Sequence, residues 1–289
     1  MKQHEKSKHI PPEHQLNEEL ENLFSDGKPL YNKSNLAIWE DLDAVIQTKK
    51  PEAVVVKMQW FRYAAAAAVL LLVTMSVLVR YYSVSVTNPK GQHLAVVLPD
   101  HSQVTLNAAS TLNYHPYWFW YSRSLNFEGE GFFEVKKGSR FSVHSTNGST
   151  EVLGTSFNIN TRKNNYEVLC QTGKVKVNHE KESLLLKPNE MGVYKSGKSL
   201  IKLEARNSLA ITAWLNNKFY FEDTPLSEVF YQLELQYDIN IQCNKDFAEI
   251  KYNGFFNKTA SADTVLSYVA NGTGLRFQFQ SPGNYLVTR

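Results

Sequence analysis

The sequence WFRYAAAAAVLLLVTMSVLV, Trp60 to Val79, separates a short polar N-terminal arm from a much longer, strand-patterned C-terminal region. A helix of roughly 20 residues rises about 30 Å, the thickness of a bilayer core. The uninterrupted run Ala64 to Val73 is short enough for a buried core helix. Against that, no polar stripe interrupts Ala64 to Val79, where Thr74 and Ser76 are the polar residues and their hydroxyls can bond back to the preceding turn. Trp60, Phe61, Arg62 and Tyr63 at one end, and Arg80, Tyr81 and Tyr82 at the other, have the aromatic and snorkelling character of membrane interfaces. The expectation is a membrane-crossing helix over 60–80, with Trp60, Arg62, Ala64, Ala68, Leu71, Val79 and Arg80 along it. About sixty residues precede the run and no small-residue cleavage pattern follows it, which argues against a cleaved signal peptide. Lys49, Lys50, Lys57 and Arg62 on the N-terminal side outnumber Arg80 and Lys90 beyond it, so the N-terminus is expected in the cytoplasm.

A chain of 289 residues is long enough for two or three folded units. The formal charge of +3 is small and its cations are scattered, which gives no footprint for nucleic acid. Aromatic residues at 12% favour β structure. Cys170 and Cys243 are far apart, and two isolated thiols make no disulfide framework.

In the arm, residues 1–59, Leu16, Leu20, Leu23 and Phe24 recur at helical spacing until Asp26-Gly27-Lys28-Pro29 stops the helix. A second helix is expected from near Ser34 to before Pro51, with Leu36, Trp39, Leu42, Val45 and Ile46 on one face. Two such helices bury little core. Either they pair loosely with each other, or a partner protein completes their apolar stripes.

Residues 86–205 read as short runs broken by turns, the pattern of an all-β sandwich, barrel or solenoid. Leu94, Val96 and Leu98 alternate before Pro99-Asp100, and Phe141, Val143 and Ser145 alternate up to Asn147-Gly148, a pair suited to a type I′ turn. Gly154, between Leu153 and Phe157, marks a bulge or a close backbone approach.

Three stretches here, LPDHSQVTLNAASTLNYHP from Leu98, FEGEGFFEVKKGSRFSVHS from Phe127 and VLGTSFNI from Val152, resemble the FecR family of membrane-bound anti-sigma factors. The matching positions are Leu98, Pro99, Asp100, Leu106, Asn107, Gly129, Glu130, Phe133, Glu134, Val135, Phe141, Val143, Leu153, Gly154, Thr155 and Phe157. His101 stands where the family has glycine, Gly131 replaces an alanine, and the cluster Tyr117-Trp118-Phe119-Trp120-Tyr121 is richer in aromatics than the family pattern.

Phe219–Gln242 and Phe255–Gln278 are two copies of one pattern, each a strand, an amphipathic helix and a strand. Thr224-Pro225 is expected to open the first helix, with Thr as cap and Pro first in the helix, and Ser261 or Asp263 the second. Tyr285 to Thr288 is expected to add an edge strand. The fold class is therefore a multidomain membrane protein: helical arm, one transmembrane helix, an all-β domain, then an α+β domain of tandem βαβ units over 210–289 that resembles the N-terminal domain of secretins and TonB-dependent transducers.

Enzymatic signatures are weak. Glu128, Glu130 and Glu134 share a strand face that reads as solvated, with Gly129 and Gly131 inside that strand. Asp100-His101-Ser102 is adjacent in sequence, whereas a catalytic triad converges from separate segments. The histidines show no metal-ligand spacing. No enzyme, cofactor, metal or nucleic-acid partner is expected.

The family resemblance implies an inner-membrane signal transducer. Its cytoplasmic arm would bind an extracytoplasmic-function sigma factor through Leu16, Leu20, Leu23, Phe24, Trp39 and Leu42. Its periplasmic portion would meet the signalling domain of an outer-membrane TonB-dependent transducer, with Phe219, Phe221, Phe255 and Phe256 at the contact. The alternative is a membrane-anchored envelope assembly module with no sigma partner.

Overall fold

A computed structural model describes residues 21–22, 33–48, 60–205, 207–259 and 261–289. The chain divides into two units, residues 1–64 and 65–289. In the first, Ser34 opens helix α1 (Asn35–Thr48), accepting from the Ala37 amide through its hydroxyl. Leu36, Trp39, Leu42, Val45 and Ile46 are exposed. Leu16, Leu20, Leu23 and Phe24 lie outside the described residues.

Helix α2 (Trp60–Tyr81) has a mean hydropathy of 2.0 and no buried residue. Trp60, Arg62, Ala64, Ala68, Leu71, Val79 and Arg80 all fall on it. The Thr74 hydroxyl donates to the Leu70 carbonyl at 2.8 Å, satisfying itself within the helix as expected.

Only Tyr82 and Ser83 separate α2 from the first strand. The β region then makes β1 (Val84–Asn88), β2 (Leu94–Val97), β3 (Gln103–Leu106), β4 (Ser110–Tyr114), β5 (Ser124–Glu128), β6 (Glu130–Glu134) and β7 (Phe141–Ser145). It continues as β8 (Gly148–Val152), β9 (Ser156–Asn160), β10 (Tyr166–Cys170), β11 (Val175–His179), β12 (Glu182–Leu186), β13 (Glu190–Tyr194) and β14 (Ile201–Glu204). Two seven-stranded sheets result, ordered β1-β4-β5-β7-β8-β11-β12 and β14-β13-β10-β9-β6-β3-β2. Inward-facing residues of both sheets, among them Leu106, Leu112, Phe127, Phe133, Phe141, Val143, Phe157 and Tyr166, form one core. The Phe133 and Phe157 rings stack at 5.1 Å.

Two local readings change. Glu128 and Glu130 do not share a strand, because the chain passes from one sheet to the other between them. Glu128 pairs with Thr111, Glu130 pairs with Asn160 in the opposite sheet, and Gly129 is the corner. Gly129 has φ +109°, and a Cβ there would meet the Ser110 hydroxyl at 2.4 Å, so the corner requires glycine on both counts. The hairpin after β7 turns on Thr146-Asn147, since Ser145 pairs with Gly148. Neither turn residue has positive φ; Gly148 sits in β8, where the Tyr166 ring would lie 2.7 Å from a Cβ. Gly154 does mark a close approach, with φ +146° and the Lys137 backbone 2.6 Å from a Cβ.

The C-terminal region contains β15 (Lys218–Pro225), helix α3 (Leu226–Tyr237), β16 (Asn240–Gln242), β17 (Lys251–Asn257), helix α4 (Ala262–Thr273), β18 (Arg276–Ser281) and β19 (Asn284–Thr288). The two copies of the repeat meet through their first strands: β15 and β17 are antiparallel, with Phe219 opposite Phe256. Val229, Phe230 and Leu233 of α3 share a core with Val265, Leu266 and Val269 of α4. The first helix starts one residue later than expected: Pro225 is its cap and still pairs in β15, while the Thr224 hydroxyl accepts from the Glu222 amide. β19 is central rather than an edge, flanked by β16, to which it is parallel, and by β18. Its buried Tyr285 and Val287 make the central position favourable.

Candidate functional site

Two of the three sequence motifs hold the sandwich together through buried ion pairs. In the first, the Asp100 carboxylate accepts from the Ser102 amide at 3.0 Å and hydroxyl at 2.8 Å, and from Arg123 Nε and Nη2 at 2.9 and 2.7 Å. Arg123 also donates to the carbonyls of Lys136 and Ser139, so its fork ties the turn after β2 to the ends of β5 and β6. His101 between them has φ +62°, the conformation for which glycine is the unstrained choice. Asp100, His101 and Ser102 thus build a turn and form no triad.

The second motif supplies Glu130. The carboxylate is nearly buried, accepting from Arg162 Nη1 and Asn107 Nδ2 at 2.8 Å each. Arg162 also donates to the Ala108 carbonyl. The expected solvated face holds for Glu134, which is exposed, and fails for Glu130, because its partner comes from a loop 32 residues downstream.

Asn107 carries this network into the C-terminal region. Its Oδ1 accepts 2.6 Å from Gln236 Nε2 on the last turn of α3. Gln236 Oε1 in turn accepts from Lys258 Nζ at 3.1 Å and from His93 Nε2 at 3.1 Å. Since Gln236 Oε1 can only accept, His93 carries its proton on Nε2. Lys258 also donates to the Gly91 carbonyl at 2.9 Å, and the Gly91 amide donates to the Leu235 carbonyl at 2.9 Å. Further out, Lys163 reaches Glu228 at 2.6 Å and lies 3.8 Å over the Tyr231 ring.

This joint borders a cleft of about 590 Å³, lined by residues that include Glu130, Arg162, Glu167, Trp214, Tyr231 and Gln236. Burial, with Lys258 nearby, holds the His93 imidazole below its ordinary pKa, and burial lowers that of Lys258. Burial raises the Glu167 carboxyl. No group of three or more His, Cys, Asp or Glu side chains suited to a metal occurs among the described residues. The arrangement fixes position: it joins the sandwich and the C-terminal region through a continuous polar network.

Most of the remaining motif residues serve packing. Leu98, Leu106, Phe133, Val135, Phe141, Val143, Thr155 and Phe157 are buried, Pro99 is half-buried, and Leu153 is exposed. In the C-terminal strand pair, Phe219 is 5% exposed and Phe221 equally internal, whereas Phe255 is 63% exposed and Phe256 half-buried. The four therefore form no single surface. Trp39 and Leu42 share the exposed side of α1. Sequence reasoning missed Gln236, His93, Arg162, Lys258 and Arg123. Gln236 alone left a trace, a polar residue in the helical stripe Val229, Leu233, Gln236.

Residues 84–176 match the FecR protein family, and residues 218–287 match the FecR C-terminal family. Among curated proteins, none matches the chain. Two crystal structures of a protein from Parabacteroides distasonis ATCC 8503 assigned as an anti-sigma factor, at 2.50 and 1.65 Å, are similar in fold. Each is 28% identical with a TM-score of 0.65; they cover 72% and 71% of this chain, and 99% of each of those chains is matched.

Proposed function

Because the chain belongs to the FecR family of anti-sigma factors, we propose that it is a single-pass inner-membrane regulator that relays a signal from an outer-membrane TonB-dependent transducer to an extracytoplasmic-function sigma factor. The observation that carries this reading is the order of elements along the chain. A helical arm precedes a 22-residue apolar helix with no buried residue, and both FecR regions follow it. A helix of that length and character is stable in a bilayer without further protein cover. The excess of Lys and Arg on the N-terminal side of α2 supports a cytoplasmic α1 and a periplasmic location for residues 84–289.

In the cytoplasm, Trp39 and Leu42 of α1, with Leu16, Leu20, Leu23 and Phe24 upstream, offer the apolar stripe that a sigma factor would cover. In the periplasm, the transducer's signalling domain would contact the strand pair β15–β17, with Phe255 at the surface and Phe219, Phe221 and the half-buried Phe256 on the core side. The role is regulatory and is exerted through binding.

The test is purification of the full-length chain from host membranes in detergent, with bound proteins identified by mass spectrometry. A sigma factor is expected to copurify, and to be lost with Trp39→Asp and Leu42→Asp. If no sigma factor accompanies an intact chain, the envelope assembly role takes its place.

A further inference from the structure

We propose that the loop between β4 and β5 is a second membrane contact, its exposed Tyr117, Trp120 and Tyr121 resting in the phospholipid headgroup layer beside the exit of α2. The inference rests on the reading of α2 as a membrane-crossing helix, and the topology carries it from there. Tyr81 ends α2 and Val84 begins β1, so their Cα atoms are at most about 11 Å apart and the sandwich cannot stand clear of the bilayer. β4 runs antiparallel to β1 with Tyr114 opposite Val84. The chain leaving β4 therefore emerges at the end of the sandwich that α2 enters.

Contacts hold the loop there. His115 Nδ1 lies 3.0 Å from the Tyr82 carbonyl, the Tyr117 ring packs 5.5 Å from that of Tyr82, and the Arg80 guanidinium sits 4.6 Å over Trp118. From inside, Phe119 is fully buried against Tyr114 and Phe141, and Arg123 closes the loop in a left-handed conformation, locked by Asp100. With the loop so anchored, Tyr117, Trp120 and Tyr121 remain 64%, 68% and 81% exposed, next to exposed Tyr81 and Tyr82.

The chemistry matches a headgroup layer. Tyrosine and tryptophan concentrate at that depth because each has an apolar ring and a polar atom to keep wet. Residues 115–123 contain no carboxylate, and Arg80 stands beside them for the phosphates. The contact would fix the tilt of the sandwich over the membrane, adding a second support to the single helix.

The full-length chain, reconstituted in phosphatidylethanolamine and phosphatidylglycerol vesicles, tests this with nitroxide labels at Tyr121→Cys, Tyr117→Cys, Leu71→Cys and Lys181→Cys. Each is made in a Cys243→Ser background; Cys170 is buried, with its thiol pushed up to about 11, and does not take the label. Lys181 lies in the turn between β11 and β12, at the far edge of the sheet from β1. Collisions with oxygen, which enters lipid, are compared with those of a water-soluble nickel chelate. At positions 117 and 121 the oxygen-to-nickel ratio is expected several-fold above that at 181 and below that at 71. A ratio at 117 and 121 equal to that at 181, with 71 protected from nickel, overturns the loop contact and leaves the span standing. Labels at 117 and 121 hidden from both reagents also overturn it, since protein would then cover the patch. Nickel access at 71 removes the span and the loop contact together.

Discussion

Gln236 of α3 donates a 2.6 Å hydrogen bond to Asn107, a motif residue of the sandwich 129 positions earlier in the chain, and both side chains are buried. The bond matters because each partner has a second obligation: Asn107 to Glu130, and Gln236 to Lys258 and His93. Gln236→Leu should cost about 1–3 kcal/mol in urea denaturation, since it strips buried polar partners of their bonds. A double-mutant cycle with Asn107→Ala should show coupling. Strict additivity would mean that the network is energetically idle.

The Asp100–Arg123 pair is also enclosed, its side chains 6% and 7% exposed. Asp100→Asn keeps the shape and leaves the guanidinium without its charge partner, so a loss of about 3–5 kcal/mol is expected, with aggregation if the chain is marginal. Thermal unfolding of the chain in detergent gives the answer.

Gly129→Ala should be damaging out of proportion to one methyl group. The strained φ alone costs about 1–3 kcal/mol, and the Ser110 clash adds to it. The same change at Gly197, whose Cβ would meet nothing within 4 Å, shares the positive φ without the clash and serves as the comparison.

His93 predicts a pH dependence. Its folded pKa lies below the ordinary value of 6.5 through burial and the nearby Lys258 cation. Its stabilising effect is therefore complete above about pH 6.5 and falls as pH drops toward the folded pKa, because the unfolded chain binds the proton first. Urea midpoints at pH 7.5 and 5.5 should differ less in His93→Gln than in the parent chain. An identical difference in both would assign the dependence to other groups.

Phe255 and Phe219 distinguish surface from core. Phe255→Asp should leave stability nearly unchanged and abolish binding of a transducer signalling domain in calorimetry. Phe219→Ala should cost about 3–5 kcal/mol through the cavity it opens. Retained binding by the Phe255 variant would move the contact elsewhere.

Hydrophobic periodicity determined most of the elements from sequence alone. The run Ala64 to Val73 of α2 is apolar at every position, the strand runs alternate every second residue, and the repeat after Phe219 shows its helices through Val229, Leu233, Val265 and Val269. Such signals are local, and so were legible. The three FecR-like stretches were legible for the same reason, as contiguous words.

Tertiary structure alone decided which residues meet across the chain. Glu130 looked solvated until Arg162 arrived from a distant loop, and Gly129 looked like a strand residue until the two sheets placed a corner there. Phe219 and Phe255 occupy equivalent positions in the two repeats, yet one is core and the other surface. Antiparallel pairing sets Phe219 against Phe256 rather than Phe255, and side chains alternate faces along a strand. The one-residue offset is invisible to any local pattern, because it is fixed by how the two strands align in space.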